Sequence, residues 1–189
     1  KSPMLYALTF IFLFSIGGLT GLLQGALATD IHLHDTYFVV GHFHYIIFGG
    51  AGFSFMAALL YWYPKMTGRM YDTKTVWVAL AHQFVGFNML YFRMIVLGMM
   101  GMPRRYYDYL PQFQTLHRVA TVGSWVLVAG LLILAYALLR ALRKGERAPA
   151  NPWGGVSLEW TIPSPPPAEN FPSPPVIGEP YDFSKGPAR

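Results

Sequence analysis

The sequence predicts an all-α polytopic membrane protein: four transmembrane helices followed by a proline-rich, extended tail. Three observations predict it. Charged residues make up only 12% of the 189-residue chain, about half the roughly 25% of ordinary soluble domains. Four apolar stretches are each long enough to cross a bilayer, which takes about 20 residues. Beyond residue 148 the apolar pattern gives way to a run of prolines that includes Pro149, Pro152, Pro163, Pro165, Pro172 and Pro180.

The first span runs from Met4 to Leu27, the second from Tyr37 to Tyr63, the third from Val76 to Met100 and the fourth from Val119 to Leu139. Residues 1–147 therefore read as a membrane domain and 148–189 as a tail. Gly17, Gly18 and Gly21 in the first span, and Gly49, Gly50 and Gly52 in the second, suit close helix contacts in lipid. Tyr61, Trp62 and Tyr63 fall where an aromatic belt is expected. Proline excludes helix from the tail and favours extended chain, and Trp153, Trp160 and Phe171 equip it to dock on a surface.

Loop charges orient the spans. The connector after the second span carries Lys65, Arg69 and Lys74, and the segment after the fourth carries Arg140, Arg143, Lys144 and Arg147. Both belong on the cytoplasmic side. The connector ATDIHLHD, with Asp30 and Asp35 but no Lys or Arg, then lies outside. The loop MPRRYYDY breaks the rule, because its Arg104 and Arg105 also fall outside. That exception asks for a local anionic partner. The net charge of +5 is spread along the chain and gives no nucleic-acid signal. The absence of cysteine excludes disulfides, thiolate metal sites and a cysteine nucleophile. The start at Lys1, without an initiator Met or a signal pattern, reads as a piece of something longer.

The chemistry concentrates in HDTYFVVGHFHY, residues 34 to 45. Residues two apart on a helix are separated by about 200°, so His42 and His44 leave the second span on nearly opposite flanks and serve two sites. A lone histidine in a span is commonly a hydrogen-bonded contact. A pair, with Arg104–Arg105 and His34–Asp35 at the same end, favours ligation, and polar groups inside a membrane are functional by default. Haem fits best: it accepts axial imidazole and carries carboxylates that match arginine's planar fork. His34 and Asp35, with Asp30 and Thr36 nearby, suit a magnesium ion or hydrogen bonds to haem propionates. His82, Gln83 and Asn88 read as interhelical hydrogen bonds or a cavity lining, the methionines as packing, and His117 and Arg118 as interfacial residues.

On these residues the chain resembles subunit I of the haem–copper oxidases, nearest the cytochrome c oxidase type. FIFLFSIGGLTG is similar to that family's ninth helix, HDTYFVVGHFHY to the start of the tenth, and GMPRRYYDY to the loop between the eleventh and twelfth; SLEWTIPSPPP resembles the tail of bacterial members. The resemblance implies two haems, expected to be of the a type, with His42 the proximal ligand of the high-spin haem and His44 an axial ligand of the low-spin haem. Phe43 lies between them on the electron path. It implies that Arg104 and Arg105 hold propionates, with Asp30 near one of them, and that His34 and Asp35 contribute to a magnesium site shared with subunit II. Copper ligands belong upstream of Lys1.

The expected function follows from that resemblance. It is the C-terminal part of a proton-pumping terminal oxidase of a bacterial inner membrane, tail on the cytoplasmic side. Its partners are the rest of subunit I, subunits II and III, and cytochrome c. Alternatives are a quinol oxidase or nitric oxide reductase of the same superfamily, a non-catalytic di-haem electron carrier, and a structural assembly piece. One departure is local: where many members read Phe-Phe-Pro-Gln-His, this chain has Tyr91-Phe92-Arg93-Met94-Ile95. Arg93 either rises to the interface or reaches the propionate region.

Overall fold

The computed structural model describes residues 1–175. Among them are seven α-helices: α1 (Ser2–Gly25), α2 (Leu27–Leu33), α3 (Tyr37–Ile46), α4 (Phe53–Thr67), α5 (Thr73–Phe87), α6 (Arg93–Met99) and α7 (Gln114–Lys144). A π-helical segment, Ile47–Gly52, joins α3 to α4, and another, Asn88–Phe92, joins α5 to α6. Four continuous helical rods result, Ser2–Gly25, Tyr37–Thr67, Thr73–Met99 and Pro111–Lys144, each long and apolar enough to cross a membrane. No strand is present among the described residues.

Three rods run beyond the apolar stretches that announce them. The second continues to Thr67, the third starts at Thr73, and the fourth extends from Pro111 to Lys144. Helix does not stop where hydrophobicity stops: polar and basic residues such as Lys65 and Arg140 continue the rods past their apolar stretches. The actual stops are local. Gly68, at φ +68°, takes the left-handed cap after Thr67, and Asp72 caps the next helix by accepting the Thr75 N–H at 2.8 Å.

Small residues decide how closely the rods pack. A side chain on Gly98 would run into the backbone of Phe38, and one on Gly41 would lie 2.6 Å from Ile95, so α3 and α6 lie nearly backbone to backbone. Gly86 does the same between α5 and α7, and Gly123 between α7 and the π segment Asn88–Phe92. The core between the rods is aromatic: Tyr6, Phe38, Tyr45, Phe53 and Phe87 are fully buried, with Phe87 edge-on to both Tyr45 and Phe53.

The segment after α7 folds back across the end of the bundle at the α4–α5 turn. Its backbone pairs with that turn, Met70 N–H donating to Glu146 O and Ala148 N–H to Gly68 O, each at 2.9 Å. Trp153 Nε1 then donates to Tyr61 O, and Trp160 Nε1 to the Tyr61 hydroxyl, both at 2.7 Å. Docking by Trp153 and Trp160 is thus observed, and Leu158–Trp160 adds a short 3₁₀ turn where the prolines pause. Pro180 and the rest of 176–189 lie outside the described residues.

Candidate haem-ligand site

α3 begins where Thr36 caps it, its hydroxyl oxygen accepting the Phe38 N–H at 3.2 Å. Six residues on, His42 points at α1. Its Nδ1 lies 3.0 Å from the Gly17 carbonyl oxygen and 3.0 Å from Thr20 Oγ1. A carbonyl oxygen only accepts, so Nδ1 carries the proton and Nε2 keeps a free lone pair. Gly21 makes room for the ring, since a Cβ there would sit 3.0 Å from His42 Cε1.

His44 leaves on another flank. Its Nδ1 donates to the Val40 carbonyl one turn back, at 2.8 Å, which again frees Nε2. The ring stacks on Phe43, at 4.5 Å, and on Tyr91 of the third rod, at 4.2 Å between centroids. Both imidazoles therefore have one nitrogen tied to backbone and one available, the state a neutral metal-ligating histidine needs. The two-flank arrangement expected from the spacing is the one found.

The MPRRY loop closes over the start of α3. Tyr37 N–H donates to Met102 O and Arg104 N–H to Asp35 O, each at 2.9 Å. Arg104 Nε donates to Asp35 Oδ1 at 2.8 Å, and Nη2 lies 2.7 Å from the same oxygen. The anionic partner that Arg104 asks for is thus in its own chain. The hydrogen bond from Arg104 is the main reason the Asp35 carboxyl sits below the usual carboxylate range, with the charges of Arg104, His34 and Arg105 adding to it. His34 lies between two acids, its Nε2 3.5 Å from Asp35 Oδ2 and its Nδ1 3.9 Å from Asp30 Oδ2. Among the described residues no group of three His, Asp or Glu side chains converges as a metal cage. His34 and Asp35 would need ligands from elsewhere.

Asp35 (φ 55°) and Arg105 (φ 68°) both adopt left-handed backbone. Aspartate tolerates it; a residue such as arginine does so at a cost of about 1–2 kcal/mol. Arg105 is exposed and makes no ion pair among the described residues. Arg93 is half-buried at the end of the second π segment, its Nε enclosed and without a partner among the described residues.

The remaining polar residues divide. Gln83 crosses to the fourth rod, Nε2 donating to Gly130 O at 3.1 Å. Asn88 crosses to the second rod, accepting the Tyr45 hydroxyl at 2.7 Å. His82 does not cross: its Nδ1 turns back to Val78 O, at 2.8 Å on its own helix. His117 lies 3.0 Å from Met102 Sδ and stacks on Tyr109. Thr20, Gly17 and Tyr91, which support the two imidazoles, carry no signal that assigns them this task in the sequence, because nothing there says which residues face each other across rods.

The family model for "Cytochrome C and Quinol oxidase polypeptide I" matches residues 1–126. The chain belongs to this family. Cytochrome c oxidase subunit 1 of Synechocystis is 45% identical over 184 residues, 97% of this chain and 33% of that protein. The Bacillus subtilis subunit 1 is 41% identical over 179 residues, 93% of this chain and 29% of its own. A cryo-EM structure of a haem–copper terminal oxidase dimer superposes with a TM-score of 0.69 at 27% identity, covering 78% of this chain and 28% of that one. The chain spans about a third of the length of the curated relatives it matches.

Proposed function

We propose that the chain is the C-terminal part of subunit I of a terminal oxidase that passes electrons from cytochrome c to oxygen, forms water and pumps protons across a bacterial inner membrane. One observation carries this reading: His42 and His44 leave one helix on different flanks, each with Nδ1 donating to a backbone carbonyl and Nε2 left open. That geometry suits two axial ligations held close together. His42 would hold the high-spin haem and His44 the low-spin haem, both of the a type. The haems, with copper on ligands outside this chain, would supply the electron storage and oxygen chemistry.

The chain's own residues do the rest. Backbone carbonyls of Gly17 and Val40 fix the protonated nitrogens, Tyr91 and Phe43 hold the His44 ring by stacking, and Phe43, between the two ligands in sequence, would lie on the electron path. Arg105, exposed at the strained loop, and Arg104 present positive charge to propionates, with Asp30 beside them. His34 and Asp35 supply two ligands toward a magnesium ion completed by subunit II. The histidine end faces outward, and the tail, over the end with Lys65, Arg69 and Arg140, lies in the cytoplasm. The remainder of subunit I and subunit III complete the assembly.

The test is the carbon monoxide difference spectrum of reduced membranes, native against His42→Leu. Loss of the carbon monoxide signal in the variant, with the low-spin haem band retained, supports the reading. A native complex that binds no carbon monoxide points instead to a di-haem carrier, and one without haem to a structural piece. A variant that still binds it removes His42 from the role. Turnover with quinol but not cytochrome c would move the assignment to a quinol oxidase.

A further inference from the structure

His42 has two acceptors within reach of one proton. The Gly17 carbonyl and the Thr20 hydroxyl oxygen each lie 3.0 Å from Nδ1, and the Thr20 hydroxyl itself donates to Gly17 O at 2.9 Å. The three atoms close a triangle in which each group can be satisfied. The carbonyl has two lone pairs, the hydroxyl gives one proton and takes one, and Nδ1 gives one. Threonine suits this post better than serine, because its β-branch restricts χ1 and holds the hydroxyl in one direction. On the same helix Gly21 leaves the ring its space, since an added Cβ there would fall 3.0 Å from Cε1.

We infer that Thr20 is a positioning residue for His42: its hydroxyl fixes the rotation of the imidazole and adds acceptor strength at Nδ1–H, and so sets how strongly Nε2 donates to its metal. The physical basis is that hydrogen bonding at the far nitrogen of a ligating histidine raises its basicity and orients its ring, while linked hydrogen bonds strengthen one another. This inference rests on the reading of His42 as a haem ligand.

The experiment compares native, Thr20→Val and Thr20→Ser in the assembled complex. It reads the iron–histidine stretching band of the reduced high-spin haem by resonance Raman, and that haem's midpoint potential. Valine keeps the shape and removes the hydroxyl; the expected result is a lower stretching frequency, a broader band and a higher potential. Serine keeps the hydroxyl and should hold the band at its native frequency. If Thr20→Val fails to assemble, Thr20→Ala removes the same hydroxyl and carries the same expectation. A valine or alanine band at the native frequency overturns the inference, as does a serine band moved as far as valine's. His42→Leu separates the underlying reading: if the band survives there, His42 is not the ligand, and the role of Thr20 falls with it.

Discussion

Asp35 and Arg104, sixty-nine residues apart, meet through a carboxylate oxygen within 2.8 Å of two guanidinium nitrogens. The contact ties the connector between the first two rods to the loop after the third, at the start of the helix that carries His42 and His44. Asp35→Asn should free the loop, and faster tryptic cleavage after Arg104 and Arg105 would show it. The pairing depresses the Asp35 pKa. Its contribution is therefore present above the ordinary carboxylate value of 3.8 and is lost as pH falls through the lowered one. Hydrogen exchange of the loop in native protein and in Asp35→Asn should converge in acid and diverge toward neutrality. Because the pair is solvent-exposed, salt should narrow the difference.

Gly18 and Gly21 look alike in sequence and differ in surroundings. A methyl on Gly18 meets nothing within 4 Å, whereas one on Gly21 lies 3.0 Å from the carbon between the two nitrogens of His42. Gly18→Ala should leave the haem spectra unchanged and add up to about 1 kcal/mol of helix stability. Gly21→Ala must push the ring by a few tenths of an ångström. The expected outcome is a perturbed high-spin haem band with the low-spin band intact, measured on the same membranes.

That pair also marks how much of the site can be read from sequence. Helical rotation alone separates His42 from His44, and loop charges alone single out Arg104 and Arg105, because both arguments stay within one element. What faces what across elements is not encoded locally. Gly18, which the sequence marks for a close contact, meets nothing within 4 Å among the described residues, while Gly86, Gly98 and Gly123, which do make such contacts, look no different in the sequence. His82 and Gln83 are neighbours with similar polarity, yet one rotation of about 100° sends Gln83 across to the fourth rod and leaves His82 on its own helix. The four rods were legible because hydrophobicity over about 20 residues is a bulk property; their ends were not, since basic and polar turns continue the helix.

The contact between α5 and α7 gives a stability prediction independent of any cofactor. A side chain on Gly86 would meet the backbone of Leu127 and lie 2.8 Å from Gly123 O. Backbone cannot rotate out of the way as a side chain can. Gly86→Val should therefore cost about 3 kcal/mol, with the fourth rod displaced. A fall in the thermal midpoint and in the yield of purified complex, against no fall for Gly18→Ala, is the measurement.

Lys65 anchors the tail, by a route unlike an ion pair. Only 5% exposed, its ammonium donates to the carbonyls of Ile162 at 2.7 Å, Ala150 at 3.0 Å and Pro163 at 3.3 Å, and lies 5.1 Å from the centre of the Trp160 ring. Three donors thus meet three acceptors, and the aromatic face adds an attraction for the same charge. Lysine suits this better than arginine, because a compact ammonium can serve acceptors arranged around a point. Lys65→Met keeps the apolar stem and leaves the carbonyls without their donor. Docking of the tail should weaken by about 2–3 kcal/mol, and chymotrypsin should cut after Trp153 and Trp160 where it spares the native protein. Lys65→Arg should restore protection only partly. The haem spectra should not move in either variant, since Lys65 and the histidines occupy opposite ends of the second rod. A tail that stays protected in Lys65→Met would mean that Trp153 and Trp160, through Tyr61, hold it alone.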